Sequence, residues 1–212
     1  MVFTIKTVKT QRVFHFGNPE KAKHLIIVFH GYGQLPEYFI RKFHSLDPEK
    51  YFIVAPEGLH RFYLSGTSGR VGASWMTKEA REDDISDNID YLNEVSKNAL
   101  KQGEFTKRTI IGFSQGGATA ARWHQNGNFK ADNFVFWASV FPPDLVFSSS
   151  NTAFERSSNF FIVGNDDPYF QNVDLNSEVL IDKHFPVETE KILFSGKHDI
   201  TKEALELLLS KL

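Results

Sequence analysis

Thr109-Ile110-Ile111-Gly112-Phe113-Ser114-Gln115-Gly116-Gly117 joins an apolar run to a helical segment rich in small residues, Gln115 to His124, with Gly-x-Ser-x-Gly at the junction. The pattern has a mechanical reading as strand, sharp turn and helix in immediate succession. Glycines two before and two after Ser114 remove side chains that would collide across such a turn. The hydroxyl is then exposed above a sheet, at the positive end of the following helix. A bare match is weak because serine and glycine are common. The apolar residues before it and the helical segment after it make it strong.

Working outward, the same strand signal recurs. Leu25-Ile26-Ile27-Val28-Phe29 is continuous and apolar and stops at His30-Gly31-Tyr32-Gly33. Tyr51 to Ala55, Asn133 to Ala138, Asn159 to Val163 and Glu190 to Phe194 follow suit. Continuous runs of this kind mark strands buried on both faces. Phe3 to Val8 and Arg12 to Phe16 instead alternate with period two around Lys9-Thr10-Gln11, which predicts a hairpin at a sheet edge. Helical patterns fill the gaps at Pro36 to Phe43, Glu79 to Leu100, Gln115 to His124, Thr201 to Leu212 and, more weakly, Pro168 to Ile181. Strand and helix signals thus alternate along the chain, which predicts one domain over residues 1–212 with a mostly parallel sheet and helices on both faces. Leu59 to Met76 is the one long irregular stretch, and such stretches inside a compact domain are often functional. The acidic residues Glu79, Glu82, Asp83 and Asp84 complement the positive end of a helix and need no metal to explain them.

Composition bounds the chemistry. With 212 residues, 41% of them hydrophobic and 24% charged, the chain falls in the globular range and can build its own core. No cysteine is present, which excludes disulfide scaffolds, thiolate metal sites and a cysteine nucleophile. A formal charge of −2 gives no long-range pull toward nucleic acid or an anionic membrane. No apolar run approaches a membrane span, and the alternating N-terminus lacks the apolar core of a signal peptide, so a cytoplasmic location is expected. The 21 phenylalanines read first as core filler.

A serine hydroxyl needs a base, and the base needs an orienting acid. In the strand–turn–helix setting these follow in the order Ser, Asp or Glu, His. Gly164-Asn165-Asp166-Asp167-Pro168 places two carboxylates just past the strand ending at Val163, and Ser195-Gly196-Lys197-His198 places a histidine just before the last helix. All three groups lie at C-terminal ends of strands, where open α/β sheets put their sites. The loop after Phe29 can aim a backbone N–H at an oxyanion, with the Gln115 N–H as second donor. His30 reads as a structural residue that pins this loop.

The chain resembles the α/β-hydrolase fold and, within it, the phospholipase/carboxylesterase group that includes acyl-protein thioesterases. The residues that carry the likeness are Val28 to Gly33, Ala55-Pro56-Glu57-Gly58, Ala73-Ser74-Trp75, Gly112 to Gly117, Ser139 to Pro142, Gly164 to Pro168 and Gly196 to His198. The resemblance implies a minimal hydrolase without a large cap. It implies Ser114, Asp167 and His198 as catalytic triad and the backbone N–H groups of Tyr32 and Gln115 as oxyanion hole. Gln34 departs from the usual aspartate of the glycine loop, Phe170 replaces an aliphatic residue, and Leu59 to Gly72 matches poorly.

The implied activity is carboxylic-ester hydrolysis through an acyl-enzyme, with no metal and no cofactor. Leu35, Trp75, Phe141, Pro142 and Phe170, with Tyr32, are the expected pocket walls. The expected partner is a small-molecule or lipid ester, with no nucleic acid and no stable membrane insertion, and a homodimer is compatible with the sequence. Acyl-protein thioesterase or serine peptidase activity is the alternative, and a non-catalytic binding module on the same fold is a further one. Covalent labelling of Ser114 separates the last from the rest.

Overall fold

The continuous apolar runs become the inner strands of the molecule. The computed structural model describes residues 3–145, 152–175, 185 and 187–212. Strands β1 (Val13–Phe16), β2 (His24–Phe29), β3 (Tyr51–Pro56), β6 (Lys107–Phe113), β7 (Asn133–Trp137), β8 (Ser158–Gly164) and β9 (Glu190–Phe194) form a seven-stranded sheet in the order β1-β3-β2-β6-β7-β8-β9. All neighbours pair in parallel except β1 with β3. Leu25 to Phe29 and Asn133 to Trp137 are buried throughout, as strands covered on both faces must be.

Helix α1 (Pro36–Phe39) runs on into a short 3₁₀ turn, Ile40–Phe43, and links β2 to β3. Helix α2 (Arg81–Leu100) links β3 to β6, and α3 (Gln115–Asn126) links β6 to β7. Helix α4 (Lys202–Leu209) follows β9 and starts at Thr201, whose hydroxyl accepts the Ala204 N–H at 3.2 Å. The β2–α1–β3 crossover steps one way along the sheet, and the α2 and α3 crossovers step the other way. Right-handed crossovers therefore put α1 on the face opposite α2 and α3. The last two touch each other, with Trp123 Nε1 donating to Asn93 Oδ1 at 3.0 Å. The chain reverses direction between β2 and β6, and such a switch point opens a crevice at the strands' C-terminal ends.

Three expectations need correction. The N-terminal hairpin does not form. Phe3 to Val8 is not a strand, and β1 pairs antiparallel with β3, Val13 opposite Pro56 and Phe16 opposite Ile53. Period-two alternation marks an extended segment but not its partner, and the free edge of β3 offers a full ladder. The Leu59 to Met76 stretch is not irregular. It holds β4 (His60–Tyr63) and β5 (Val71–Ser74), paired antiparallel as a separate hairpin. Finally, Pro168 to Leu175 runs as turns rather than helix, tied by Phe170 N–H to Asp167 O and Val173 N–H to Phe170 O, each 3.0 Å; the remainder of that segment, 176–181, lies outside the described residues.

Candidate active site

Ser114 sits at the apex between β6 and α3 with φ 53° and ψ −123°, one of three non-glycine residues with positive φ among the described residues. Holding such a backbone costs on the order of 1–3 kcal/mol, which the surrounding packing must overcome. That packing is visible at the flanking glycines. A Cβ on Gly112 would strike the Gly117 backbone, and one on Gly116 would lie 2.5 Å from the His30 carbonyl oxygen. The glycines thus let β6, α3 and the loop after β2 close on one another, with Ser114 at the junction.

Asp167 and His198 meet at the ends of β8 and β9. His198 Nδ1 lies 2.7 Å from Asp167 Oδ2, and the Asp167 side chain is fully buried. Its other oxygen, Oδ1, accepts the Tyr169 N–H at 2.9 Å. A carboxylate only accepts, so Nδ1 carries the proton and Nε2 is left as the basic nitrogen. The His198 ring packs on Phe113, the residue before the serine, at 4.8 Å between centroids, and under Tyr169 at 4.5 Å. The first contact sets the ring beside the residue that precedes Ser114. Asp166 is exposed, and the turn is closed instead by Asn165, whose Oδ1 accepts the Gly196 N–H at 3.1 Å.

The loop after β2 is set by His30. The Gly58 N–H donates to its Nε2 at 3.0 Å, so its proton is on Nδ1, which donates to the Gly31 carbonyl at 2.8 Å. Complete burial lowers the His30 pKa to about 4 and keeps the ring neutral, as this pair of bonds requires. The Gly31 carbonyl and the Tyr32 N–H belong to one trans peptide and point opposite ways. Holding the carbonyl back therefore turns the Tyr32 N–H outward. The other N–H groups of the loop are consumed: Gly31 by Gln34 Oε1 at 2.8 Å, Gly33 by Ala73 O at 2.8 Å and Gln34 by Gly31 O at 3.2 Å. Gln34 is thus the residue that closes the loop on itself. Gln115 is the first residue of α3, where an N–H has no acceptor within the helix. Its side chain is occupied elsewhere, with Nε2 donating to Met76 O at 2.9 Å and Oε1 accepting the Trp75 N–H at 3.2 Å.

The expected pocket residues divide. Leu35 borders a cleft between α1 and the β4–β5 hairpin. Trp75 does not face substrate. It is fully buried, stacked on the His30 ring at 4.9 Å, and its indole N–H donates to the His30 carbonyl at 2.8 Å. Phe141 and Phe170 belong to the aromatic core, Phe141 against Phe136 and Phe154, Phe170 against Phe161, and Pro142 is buried beside them. Large apolar side chains near a site are drawn into the core before they line a cavity. Residues with no sequence signal of their own take the pocket's place. Tyr38, Leu64, Arg70 and Val71 line the cleft, and Tyr169, 77% exposed, covers His198. Only the position of Tyr169, two residues past Asp167, could have pointed to it. Among the described residues no group of three His, Cys, Asp or Glu side chains could hold a metal ion, and no helix is long and apolar enough to cross a membrane.

The sequence model of the phospholipase/carboxylesterase family matches residues 16–212. The chain belongs to the phospholipase/carboxylesterase family. It is an α/β-hydrolase of the carboxylic-ester hydrolase class. Solved structures share the fold at low identity. Acyl-protein thioesterase 2 of Zea mays superposes with a TM-score of 0.68 at 16% identity, covering 95% of this chain and 97% of that one. The carboxylesterase of Mesorhizobium loti gives 0.66 at 13%, covering 95% and 92%, and that of Bacillus cereus 0.62 at 15%, covering 95% and 92%. No curated protein matches the sequence.

Proposed function

We propose that this phospholipase/carboxylesterase family member cleaves carboxylic esters by nucleophilic catalysis at Ser114, with His198 as base and Asp167 as its orienting acid. The observation that carries the reading is the pairing of His198 with the buried Asp167 after β9 and β8, with the His198 ring packed on Phe113, the residue before the strained Ser114. The Ser114 oxygen attacks the acyl carbon while His198 Nε2 takes its proton, and the carbonyl electrons move to oxygen. The N–H groups of Tyr32 and Gln115 receive that oxyanion. Collapse of the intermediate breaks the bond to the leaving oxygen, which takes the proton from His198. Water then adds to the acyl-enzyme by the same route and releases the acid. Asp167 holds the Nδ1–H tautomer throughout.

The test is steady-state and burst kinetics on p-nitrophenyl esters, the corresponding thioesters and peptide p-nitroanilides. A burst followed by steady turnover on the esters is expected. Turnover of the anilides with no ester cleavage would replace this reading with peptidase activity.

A further inference from the structure

The hairpin of β4 and β5 is joined to the oxyanion loop. The Gly33 N–H donates to Ala73 O at 2.8 Å, and the Ala73 N–H donates to Gln34 O at 3.1 Å, so one antiparallel bridge ties the loop after β2 to β5. A Cβ on Gly72 would strike the Gly33 carbonyl, which shows how closely the two backbones lie. The hairpin's own loop is closed by the Leu64 N–H on Arg70 O at 2.8 Å. This closure sets Leu64 beside Arg70, and Leu64 Cδ2 lies 3.2 Å from where a Gly33 Cβ would stand.

Between the hairpin and α1 lies a cleft of about 780 Å³, bordered by Gly33 and Gln34 at the oxyanion end and walled by Leu35, Tyr38, Phe39, Leu64 and Val71. The volume lies in the usual range of small-molecule sites. Two cations border it, Lys42 and Arg70. Lys42 is committed to Asp199, the neighbour of His198. Arg70 is exposed, and its guanidinium makes no hydrogen bond or ion pair among the described residues.

We infer that this cleft holds one arm of the ester and that the arm is apolar and ends in an anionic group paired with Arg70. The inference rests on Ser114 as nucleophile, since the cleft matters only as a neighbour of the oxyanion loop, which it borders at Gly33 and Gln34. Apolar walls accept methylenes and reject charge along the arm. A single unpaired guanidinium at the border matches a terminal carboxylate or phosphate, both of which fit its planar fork.

The experiment compares kcat/KM for esters of matched chain length ending in a methyl group, a carboxylate or a phosphate, with the tail on the acyl side in one series and on the alcohol side in another. Wild type is expected to favour an anionic tail by about tenfold in one series, the scale of a charge-assisted hydrogen bond. The two anionic arms tell carboxylate from phosphate. In Arg70→Gln the anionic-to-neutral ratio should fall to parity, and Arg70→Lys should keep part of it. Because each ratio is internal to one variant, a change in active-enzyme content cancels. Ester hydrolysis by the wild type with no anionic preference in either series, or a preference that survives Arg70→Gln, overturns the inference alone. No hydrolysis of any ester by the wild type overturns the Ser114 reading with it.

Discussion

Asp166 and Asp167 are adjacent carboxylates with opposite surroundings, and the difference decides which one holds the histidine. Asp167 precedes Pro168, which favours an extended backbone, and its side chain turns inward to His198 and the Tyr169 N–H. Asp166 faces solvent, and its backbone N–H alone is engaged, on Gly196 O at 2.9 Å. Asp167→Asn is therefore expected to lower kcat by about 10⁴, because an amide favours the wrong imidazole tautomer. Asp166→Asn should cost less than about tenfold, since the carboxylate supports no bond that the reaction uses. Measuring kcat for both on one activated ester, with circular dichroism to confirm folding, checks the pair. A dead Asp166→Asn would move the acid by one residue. The sequence alone left the two open, and the proline and the family likeness pointed to Asp167. What it could not show is that Asn165, not Asp166, bonds the Gly196 N–H and closes the turn under His198.

At the scale of elements, the loop after β2 depends on a side chain that never meets substrate. His30 holds the Gly31 carbonyl and is itself held by the Gly58 N–H, while Trp75 stacks beneath it. Replacing it with phenylalanine keeps an aromatic ring on Trp75 but removes both hydrogen bonds. The Tyr32 N–H then loses its fixed direction. His30→Phe should lower kcat by roughly 10²–10³, the cost of one oxyanion donor, with little change in KM. A rise in KM at constant kcat would show that the loop binds ground state and transition state alike. The inner strands were legible because each is a continuous apolar run. The β4–β5 hairpin was not, because His60-Arg61-Phe62-Tyr63 and Val71-Gly72-Ala73-Ser74 are four residues each, and one contact that ties it in, the Gln34–Ala73 bridge, comes from a loop distant in sequence. The expected N-terminal hairpin failed for the converse reason, since its local pattern was clear and its partner lay elsewhere, on β3.

For the molecule as a whole, two buried histidines, His30 and His124, and the part-buried His24 make stability depend on pH. Burial lowers the pKa of His24, His30 and His124 to about 4. Each folded-state value lies below the ordinary imidazole value of about 6.5, so between those limits the unfolded chain binds protons that the native one refuses. Stability is thus fully present above about pH 6.5 and falls toward pH 4, by up to about 1.4 kcal/mol per pH unit for each histidine. Urea midpoints taken across this range should decline steadily, and a flat profile would mean that these rings are open to water. The order of the strands also places the site. Tyr32 and Ser114 follow β2 and β6 on either side of the switch point, and Asp167 and His198 follow β8 and β9 along the same edge. This arrangement could be read from the alternation of strands and helices and the order of Ser, Asp and His, whereas the walls of the cleft, Leu35 aside, could not. On the proposed function, this edge is organised around Ser114 as nucleophile. Intact-mass and peptide mapping after treatment with a fluorophosphonate tests it most directly. One adduct per chain on the peptide bearing Ser114, with loss of ester hydrolysis in parallel and no adduct on folded Ser114→Ala, is the expected result. An unlabelled folded protein, or an adduct elsewhere that abolishes activity, would contradict it.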